Sequence, residues 1–545
     1  NRFLKQTDLS EGGRDDHHML WDARTESLQV APFRSLALEA LDPRLDVRTN
    51  VTLKDGRSVE VRSVYSLLKD RLADYTPEAA SGMCGVSPKM IRRLAHEIVS
   101  VDKVANIAQT SMCKYYHGNL AERALALVFA LTGNIGRRGA GFSGFPVLNL
   151  DGGDKFALTP SMREVAETFG RLEPFIQQRL EAGDTHEMVS QGLGRLMFMP
   201  GNPLIRLPVW TSGSLFWTVH GGIGELSERA EEWGLGNKRP LKEYLDESLN
   251  KQWQPLQPPP DRPPRIMISL VSNPLRRLRG SEKLLEVLWP KLKKVVVMDW
   301  RINSTARHAD YVLPAAPWYE RTNLKWVTPL SPYLTTSDQA TEPLGDAKTD
   351  WSIIVLLAKH IQKRAIERGI GTLKSPQGLE VKLHTLYDDL TMKGEYREGD
   401  DDKVARAIFD LSSTHKKLSW DQVKEKGFAR FDGLPEDPVS IGNMCEFPEN
   451  DSIVPLTFHV RDKVPYPTST RRIQFFVDHP FYDELDELLP RHKAPPMIGG
   501  DYPLMMTGGK TRWSIHSTWR DSSLMLRLEA RPEPYLLVSM ADAGK

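Results

Sequence analysis

The sequence lacks two features that would narrow its class at once, a long apolar run and a cysteine motif. Among its 545 residues no run of roughly 18 apolar residues occurs, so we predict no transmembrane helix. The three cysteines are Cys84, Cys113 and Cys445, and no Cys-x-x-Cys pair is present. A zinc ribbon or a complete iron–sulfur binding run is therefore not predicted within these residues.

The sequence also lacks an excess of charge of either sign. Lys and Arg number 72 against 71 for Asp and Glu, so no overall field attracts nucleic acid or an anionic membrane. We therefore expect no nucleic-acid partner. At about 150 residues per domain, the length predicts roughly three or four domains.

Helix start signals are clear in the segment that follows residue 61. Thr76 and Ser87 are each followed by a proline, and a capping hydroxyl before a proline is typical of a helix start. They predict two helices, the second extending to about Ser100. A strand over 104–108 and a polar loop over 109–118 come next. The four residues from Asn119 to Glu122 then resemble a capping box, which predicts the start of a long apolar helix ended by Gly133.

A proline-rich run at 254–264 marks the clearest boundary in the chain, because such runs are stiff linkers. Beyond it, apolar strands at 265–271 and 294–298 flank a helix at 281–288. This order predicts a right-handed βαβ crossover in a parallel sheet. A helix over 350–366 completes the unit.

The same patterns divide the chain into regions of different character. We predict the end of an N-terminal α/β region at 1–60, α/β domains at 61–253 and 265–370, an irregular connecting region at 371–500, and the start of a β-rich domain at 501–545. Within the irregular region, the acidic run 398–403 is predicted to be a solvated surface loop.

Polar residues follow both predicted strands of the crossover. Asn273 comes just after the first strand and Asp299 ends the second, where a doubly wound sheet binds nucleotides. The glycine fingerprint of ordinary dinucleotide sites is missing, and Arg276, Arg277 and Arg279 offer phosphate donors instead. A structural crossover with surface arginines is an equally good interpretation of this motif alone.

Two further stretches concentrate chemically useful side chains. Residues 507–520 hold a glycine pair, several hydroxyls and two tryptophans, which suits close approach to phosphates and stacking on a flat heterocycle. The loop Ser111–Gly118 contains Lys114 and His117, which could bind an anion or transfer a proton. Taken alone, this loop is more simply interpreted as a polar surface loop.

Taken together, these stretches resemble the molybdopterin oxidoreductase family, also called the dimethyl sulfoxide reductase family. The resemblance covers nearly the whole chain, including 131–136, 272–275, 309–320 and 507–521. Residues 318–320, 348–351 and 513–521 are most similar to the group with ethylbenzene dehydrogenase, dimethyl sulfide dehydrogenase and the selenate, chlorate and nitrate reductases. The loop Cys113–Gly118 resembles the active-site loop of the ethylbenzene dehydrogenase branch.

The resemblance implies a multi-domain α/β fold with doubly wound parallel sheets, followed by the start of a C-terminal β-barrel domain. It also implies molybdenum held by two molybdopterin guanine dinucleotides, with 61–253 as a cofactor domain carrying the active-site loop. Lys114 and His117 would be catalytic. One nucleotide would contact Asn273, Arg276, Asp299, Trp300, Thr305, His308 and Asp310. The other side of the cofactor would be lined by Thr507, Gly508, Gly509, Thr511, Trp513, Ser514, His516 and Trp519.

The implied activity is transfer of oxygen or hydroxyl with two electrons, as hydrocarbon or sulfide hydroxylation or as reduction of nitrate, chlorate or selenate. The partners that the resemblance implies are a small-molecule substrate, an iron–sulfur β subunit and a haem b γ subunit. A periplasmic location is expected, with the cytoplasmic face of the membrane as the alternative. Because the family's molybdenum ligand and [4Fe–4S] ligands have no counterpart here, we expect truncation at both ends. A molybdenum-free electron-relay subunit of a respiratory complex is the alternative function.

Overall fold

The structure is a computed structural model, and it describes most but not all of the chain. The described residues are 2–107, 112, 115–143, 155–156, 173–184, 189, 211–228, 237–251, 253, 256–278, 280–326, 333–374, 380–412, 418–430, 445–446, 451–452, 454–466, 468–495, 504, 522–529 and 536–544. No helix within these ranges is long and apolar enough to cross a membrane.

The N-terminal region consists of a short helix and two antiparallel hairpins. Its elements are α1 (Gln6–Leu9), β1 (Met19–Asp22), β2 (Ser27–Val30), β3 (Arg48–Thr52) and β4 (Ser58–Arg62). The buried carboxylate of Asp22 closes the first hairpin, because it accepts hydrogen bonds from the backbone and hydroxyl of Thr25 and from the Asp42 backbone. This matches the mixture of loops and strands predicted for 1–60.

Three helices follow: α2 (Val64–Ala73), α3 (Pro77–Cys84) and α4 (Pro88–Ser100). The hydroxyl of Thr76 accepts a hydrogen bond from the Ala79 amide at 3.1 Å, and the hydroxyl of Ser87 accepts one from Met90 at 3.4 Å. Both predicted helix starts are therefore confirmed, since each hydroxyl satisfies a first-turn N–H that has no intrahelical partner.

The next unit pairs two strands around a helix: β5 (Ala105–Ile107), α5 (Gly118–Leu131) and β6 (Gly141–Ser143), with β5 and β6 parallel. The predicted capping box is wrong, because α5 begins two residues earlier, with His117 and not Asn119 at the N-cap position. His117 is the residue before the helix, with φ of 59°, and its side chain makes no capping hydrogen bond. Asn119 consequently lies inside the first turn, where its side chain cannot cap. The predicted stop at Gly133 is confirmed by its φ of 67°.

Four helices are described between this unit and the proline-rich run. They are α6 (Glu173–Glu181), α7 (Gly213–His220), α8 (Ile223–Glu228) and α9 (Leu241–Asn250).

The predicted parallel sheet is present and contains a third strand. Strand β7 (Ile266–Leu270) leads into α10 (Pro274–Arg277), α11 (Ser281–Lys283) and a π-helical turn (Leu284–Leu288). Strand β8 (Lys294–Asp299) lies between β7 and β9 (Tyr311–Pro314), and both pairings are parallel. Val295 and Val297 pack on one face of the sheet, and Met298 packs on the other.

Helices and strands continue from residue 323 to residue 455, so the region 371–500, which was predicted to be irregular, contains regular structure. These elements are β10 (Asn323–Trp326), β11 (Tyr333–Ser337), α12 (Asp350–Glu367), β12 (Thr372–Lys374), β13 (Glu380–Lys382), α13 (Leu386–Leu390), α14 (Asp401–Leu411), α15 (Trp420–Lys426), β14 (Phe428–Arg430), β15 (Cys445–Glu446) and β16 (Val454–Pro455). Phe409 and Trp420 pack on Leu334 in a core that joins α14 and α15 to the β10–β11–β14 sheet.

The acidic run 398–403 is only in part the solvated loop that its charge predicted, because residues 398 and 399 form an exposed turn whereas residues 401–403 are the first turn of α14. Asp401 begins α14, and the hydroxyl of Thr349 donates a hydrogen bond to its Oδ2 at 2.8 Å. Burial raises the pKa of Asp401. The run fits a helix start because the positive end of a helix dipole stabilises acidic residues in the first turn.

A segment at 474–493, hereafter the strap, contacts several of the preceding units. It follows α16 (Thr457–Arg461) and contains α17 (Pro480–Glu484). The half-buried guanidinium of Arg123 on α5 donates hydrogen bonds of 2.8–2.9 Å to the carbonyls of Phe475, Glu487 and Leu488. The ion pair between Arg239 and Glu484 adds a contact from the segment before α9.

Two short helices are described beyond residue 501, where the start of a β-rich domain was predicted. They are α18 (Ser523–Glu529) and α19 (Met540–Ala543).

The Arg123 contacts lead to a prediction about local stability. Replacing Arg123 by Met leaves the carbonyls of Phe475 and Glu487 without their donor and that of Leu488 with only the Val477 amide, so the local opening free energy of α5 and the strap should fall by about 2–4 kcal/mol. Hydrogen exchange measured by mass spectrometry reports this as faster exchange over 118–131 and 475–493. The control Arg93→Met removes only an exposed ion pair with Glu97, so it should change the local opening free energy by less than about 0.5 kcal/mol. Equal effects of the two changes would refute the role of Arg123.

Candidate functional site

The carboxyl ends of β7, β8 and β9 meet at one edge of the parallel sheet, hereafter the sheet edge. Asn273 follows β7, and Asp299 is the last residue of β8. Parallel sheets bind ligands at this edge because the loops that leave adjacent strands there form a crevice. The two residues predicted from the sequence are therefore placed at the same edge.

A hydrogen-bond network at the sheet edge joins the loop after β7 to the loop after β8. The Asn273 Oδ1 accepts hydrogen bonds from the hydroxyl of Thr305 at 2.9 Å and from its backbone amide at 3.2 Å. The same hydroxyl accepts one from the Leu275 amide at 3.2 Å, and Thr305 is fully buried. Asn273 and Thr305 are thus brought together, and their direct contacts hold the two loops in register.

The Asp299 carboxylate is mostly buried at the end of β8. Its Oδ2 accepts a hydrogen bond from the Asn303 side-chain amide at 2.7 Å, and its Oδ1 accepts one from the Arg301 backbone at 3.3 Å. A carboxylate has about four acceptor positions, so Asp299 keeps capacity for a ligand donor. Sequence reasoning missed Asn303, although an amide four residues after a strand-ending carboxylate was a usable signal.

Two tryptophans, one after β8 and one after β9, contact each other at the same edge of the sheet. The rings of Trp300 and Trp318 are 5.7 Å apart and meet edge to face, and the Lys325 ammonium lies 4.1 Å from the Trp318 ring centroid. Trp318 follows β9 and is 40 % exposed, so part of its ring remains open to a planar ligand. Trp300 was predicted from the sequence, whereas Trp318 was noticed only as part of a family motif.

The basic residues predicted for the nucleotide occupy exposed positions. Arg276 and Arg277 project from the short helix α10 into solvent, where phosphate oxygens can reach them. His308 is also exposed, and its backbone carbonyl accepts a hydrogen bond from the Trp289 indole at 2.9 Å. Arg279 lies outside the described residues.

Asp310 is not placed with the other predicted residues. It precedes β9, and its carboxylate accepts a hydrogen bond from the Val295 amide at 2.7 Å and pairs with Lys294 at 3.1 Å. The backbone bond from Val295, then the Lys294 ammonium, holds the pKa of Asp310 below its usual value. Because Val295 is near the start of β8, Asp310 lies roughly 13 Å along the strand from Asp299. The structure thus gives it contacts at the opposite edge.

His117 lies at the start of α5 against the strap. Its Nδ1 is 3.7 Å from Glu487 Oε1, and the Lys493 ammonium is 2.7 Å from that same oxygen. Burial, followed by the charge of Lys493, lowers the pKa of His117, so its neutral form dominates near pH 7. Glu487 is 364 positions from Arg123 and still further from His117, so no local signal could have found this contact.

Several predicted site residues lie outside the described residues, and their positions stay predictions. They are Lys114, Thr507, Gly508, Gly509, Thr511, Trp513, Ser514, His516 and Trp519.

Comparison with known proteins gives a consistent result. The family model for molybdopterin oxidoreductases matches residues 77–360, which include α3 to α5 and the sheet edge. The respiratory nitrate reductase α subunit of Haloferax mediterranei is 32 % identical over 94 % of this chain and 47 % of its own length. The perchlorate reductase α subunit of Dechloromonas aromatica is 29 % identical over 99 % of this chain and 55 % of its own. The dimethylsulfide dehydrogenase α subunit of Rhodovulum sulfidophilum is 28 % identical over 98 % of this chain and 54 % of its own length.

The chain spans about half the length of these curated relatives.

The network around Thr305 leads to a second prediction. Thr305→Val keeps the shape of the side chain but leaves the buried Leu275 amide without an acceptor, which should cost about 1–3 kcal/mol. The thermal midpoint of the unit that contains the sheet should fall. Thr305→Ser keeps the hydroxyl, so its thermal midpoint should fall clearly less than that of Thr305→Val. If Thr305→Ser lowers the thermal midpoint as much as Thr305→Val does, the stabilising contribution of Thr305 comes from its methyl group and not from its hydroxyl.

The lowered pKa of His117 leads to a prediction about pH. A histidine whose pKa is lower in the folded state contributes stability above its unfolded value, about 6.5, and loses it as pH falls through the folded value. His117→Gln should therefore lose less thermal stability than the wild type between about pH 7.5 and 5.5. The matched control is His308→Gln, which should follow the wild type because His308 is exposed. A wild-type pH dependence in His117→Gln would contradict the interpretation.

Proposed function

The chain belongs to the molybdopterin oxidoreductase family, and from this premise we propose that it forms part of the catalytic α subunit of a molybdenum-dependent oxidoreductase. The observation that carries the proposal is the Asp299 carboxylate at the sheet edge, within the residues that match the family. The likeness to α subunits of nitrate and perchlorate reductases supports the same conclusion.

The sheet edge suits the guanine dinucleotide form of the cofactor. A buried carboxylate with unused acceptor positions can receive hydrogen bonds from ribose hydroxyls or from the N–H edge of guanine. The exposed guanidiniums of Arg276 and Arg277 can bind phosphate oxygens, and the open ring of Trp318 can pack on a base. We infer that Asn273, Asp299, Trp300, Asn303 and Thr305 form and support one nucleotide site.

The second nucleotide site is proposed for the stretch from Thr507 to Trp519. Its glycine pair, hydroxyls and indoles suit phosphates and a pterin, as the sequence indicates. The fold inferred for the whole protein has doubly wound parallel sheets and a C-terminal β-barrel domain that starts near residue 501.

The molybdenum centre, when bound, supplies two-electron oxygen transfer. This chain's own residues would prepare the substrate. Lys114 would hold a positive charge beside the substrate oxygen, where a fixed charge is effective because water is excluded. His117, kept neutral by burial, would accept or return a proton at Nε2 while its Nδ1 faces Glu487.

We propose reduction of an oxyanion such as nitrate, chlorate or selenate as the reaction of the whole protein. Two of the relatives are named as reductases of nitrate and perchlorate. The likeness to a dimethylsulfide dehydrogenase supports the opposite direction, oxidative hydroxylation of a sulfide or hydrocarbon, as the second candidate. A molybdenum-free electron-relay role is not favoured, because these relatives are named as redox enzymes.

The relatives are α subunits, so we infer that other subunits bind the whole protein. We propose an iron–sulfur β subunit and a haem b γ subunit as electron partners, a [4Fe–4S] cluster in the α subunit itself, and a periplasmic location.

The nucleotide site is tested by a pair of isosteric changes. Asp299→Asn removes an acceptor that the nucleotide needs, so guanine nucleotide released from the purified protein should fall by about half, because one of two sites is lost. Asp310→Asn, at the opposite edge, should keep the full content although it removes a charge of the same sign. The readouts are nucleotide chromatography and metal analysis after acid release. Equal content in both variants would contradict the assignment of Asp299.

A further inference from the structure

Five arginines gather where the N-terminal region, the end of α6 and the segment before the strap meet. The guanidinium carbons of Arg14, Arg34 and Arg471 lie 5.3, 5.3 and 5.2 Å from the centroid of the Phe33 ring. Arg179 and Arg472 complete the group, hereafter the arginine cluster. The residues of the sheet edge and of the His117 loop do not belong to it.

Within the part of the chain that the structure describes, two carboxylates pair with these five cations. Asp16 accepts hydrogen bonds of 2.8 and 2.9 Å from Arg14 and one of 3.2 Å from Arg471. Asp184, which is buried, pairs with Arg179. The arginine cluster therefore carries an excess of positive charge, which is costly in a partly buried place unless an anion neutralises it.

The backbone satisfies part of this donor capacity. Arg471 donates to the carbonyl of Phe33 at 3.1 Å, Arg472 to that of Pro32 at 2.8 Å, and Arg34 to that of Ala182 at 3.0 Å. These bonds orient the guanidiniums without adding negative charge. Burial lowers the pKa of both Arg471 and Arg472, in keeping with cations that are short of counter-charge.

Two buried nitrogen atoms of this group have no hydrogen-bond partner among the described residues, and the two carboxylate oxygens of Asp184 have none besides the ion pair with Arg179. One is Nη2 of Arg472, and the other is Nε2 of His17, a residue that is 9 % exposed. The His17 ring lies 4.2 Å from that of Phe33, and its Nδ1 is 3.1 Å from the Gln6 amide oxygen, which can only accept. In neutral His17 the Nε2 is therefore an acceptor without a partner, and its ring contacts the same Phe33 side chain as three of the guanidiniums.

We propose that the arginine cluster with His17 binds a phosphate group. A phosphate has several charged oxygens for the guanidiniums and, in its protonated forms, a hydroxyl that can donate to the His17 Nε2. Planar guanidiniums match phosphate oxygens in pairs. The phosphate could be a free inorganic ion or part of a nucleotide, and both present the same group to the arginine cluster.

The test is calorimetric titration of the full chain with inorganic phosphate, guanosine monophosphate and guanosine. Inorganic phosphate should bind with a dissociation constant of about 1 mM or lower. Because guanosine monophosphate can also bind at the sheet edge, the two ligands are compared in both the wild type and Arg34→Gln. Tighter binding of the monophosphate than of the free ion that Arg34→Gln abolishes would identify a nucleotide as the source, and the reverse order in the wild type would identify the free ion. Guanosine, which lacks the phosphate, should not displace bound phosphate. Absence of phosphate binding to the wild type would overturn the proposal.

Matched variants test whether the binding occurs at the arginine cluster. Arg34→Gln removes an exposed guanidinium and one backbone contact, and it should weaken phosphate binding by about tenfold. Arg57→Gln removes the same charge from the exposed β3–β4 turn, where Arg57 pairs with Asp55, and should leave the affinity within about twofold. Circular dichroism checks that both variants fold. Equal affinities in the two variants would overturn the assignment.

Discussion

Parallel pairing of β8 with both of its neighbours is the constraint on which the proposed site depends. It brings the ends of three strands to one edge, so residues separated along the chain become neighbours there. The bonds between Asn273 and Thr305 then fix how the first two loops approach each other. The Asp299 carboxylate is held between these loops by Asn303, which leaves part of its acceptor capacity for a ligand.

Local features of the sequence predicted local features of the structure. The hydroxyls of Thr76 and Ser87 cap helices as their spacing indicated, because capping depends only on the next three residues. Asp299 was placed correctly for a similar reason: a residue that ends a buried strand lies at the edge of its sheet. The family assignment followed from several such motifs in the right order, and the comparisons confirmed it.

Predictions failed where distant contacts or the backbone decided the outcome. Asn119 does not cap α5, because a left-handed conformation at His117 starts the helix earlier. Asp401 lies in a helix start against Thr349 and not in a solvated loop. The strap was invisible to sequence reasoning for the same reason, since Arg123 and Glu487 are brought together only by the complete fold.

The central claim is that the sheet edge holds a guanine nucleotide against Asp299. The most direct measurement is an experimental structure of the full-length, cofactor-loaded protein at a resolution that shows the nucleotide. The account predicts a ribose or guanine donor within hydrogen-bond distance of the Asp299 carboxylate, with Asn303 still bound to its other oxygen. A nucleotide located elsewhere, with Asp299 contacting only Asn303 and the Arg301 backbone, would contradict it.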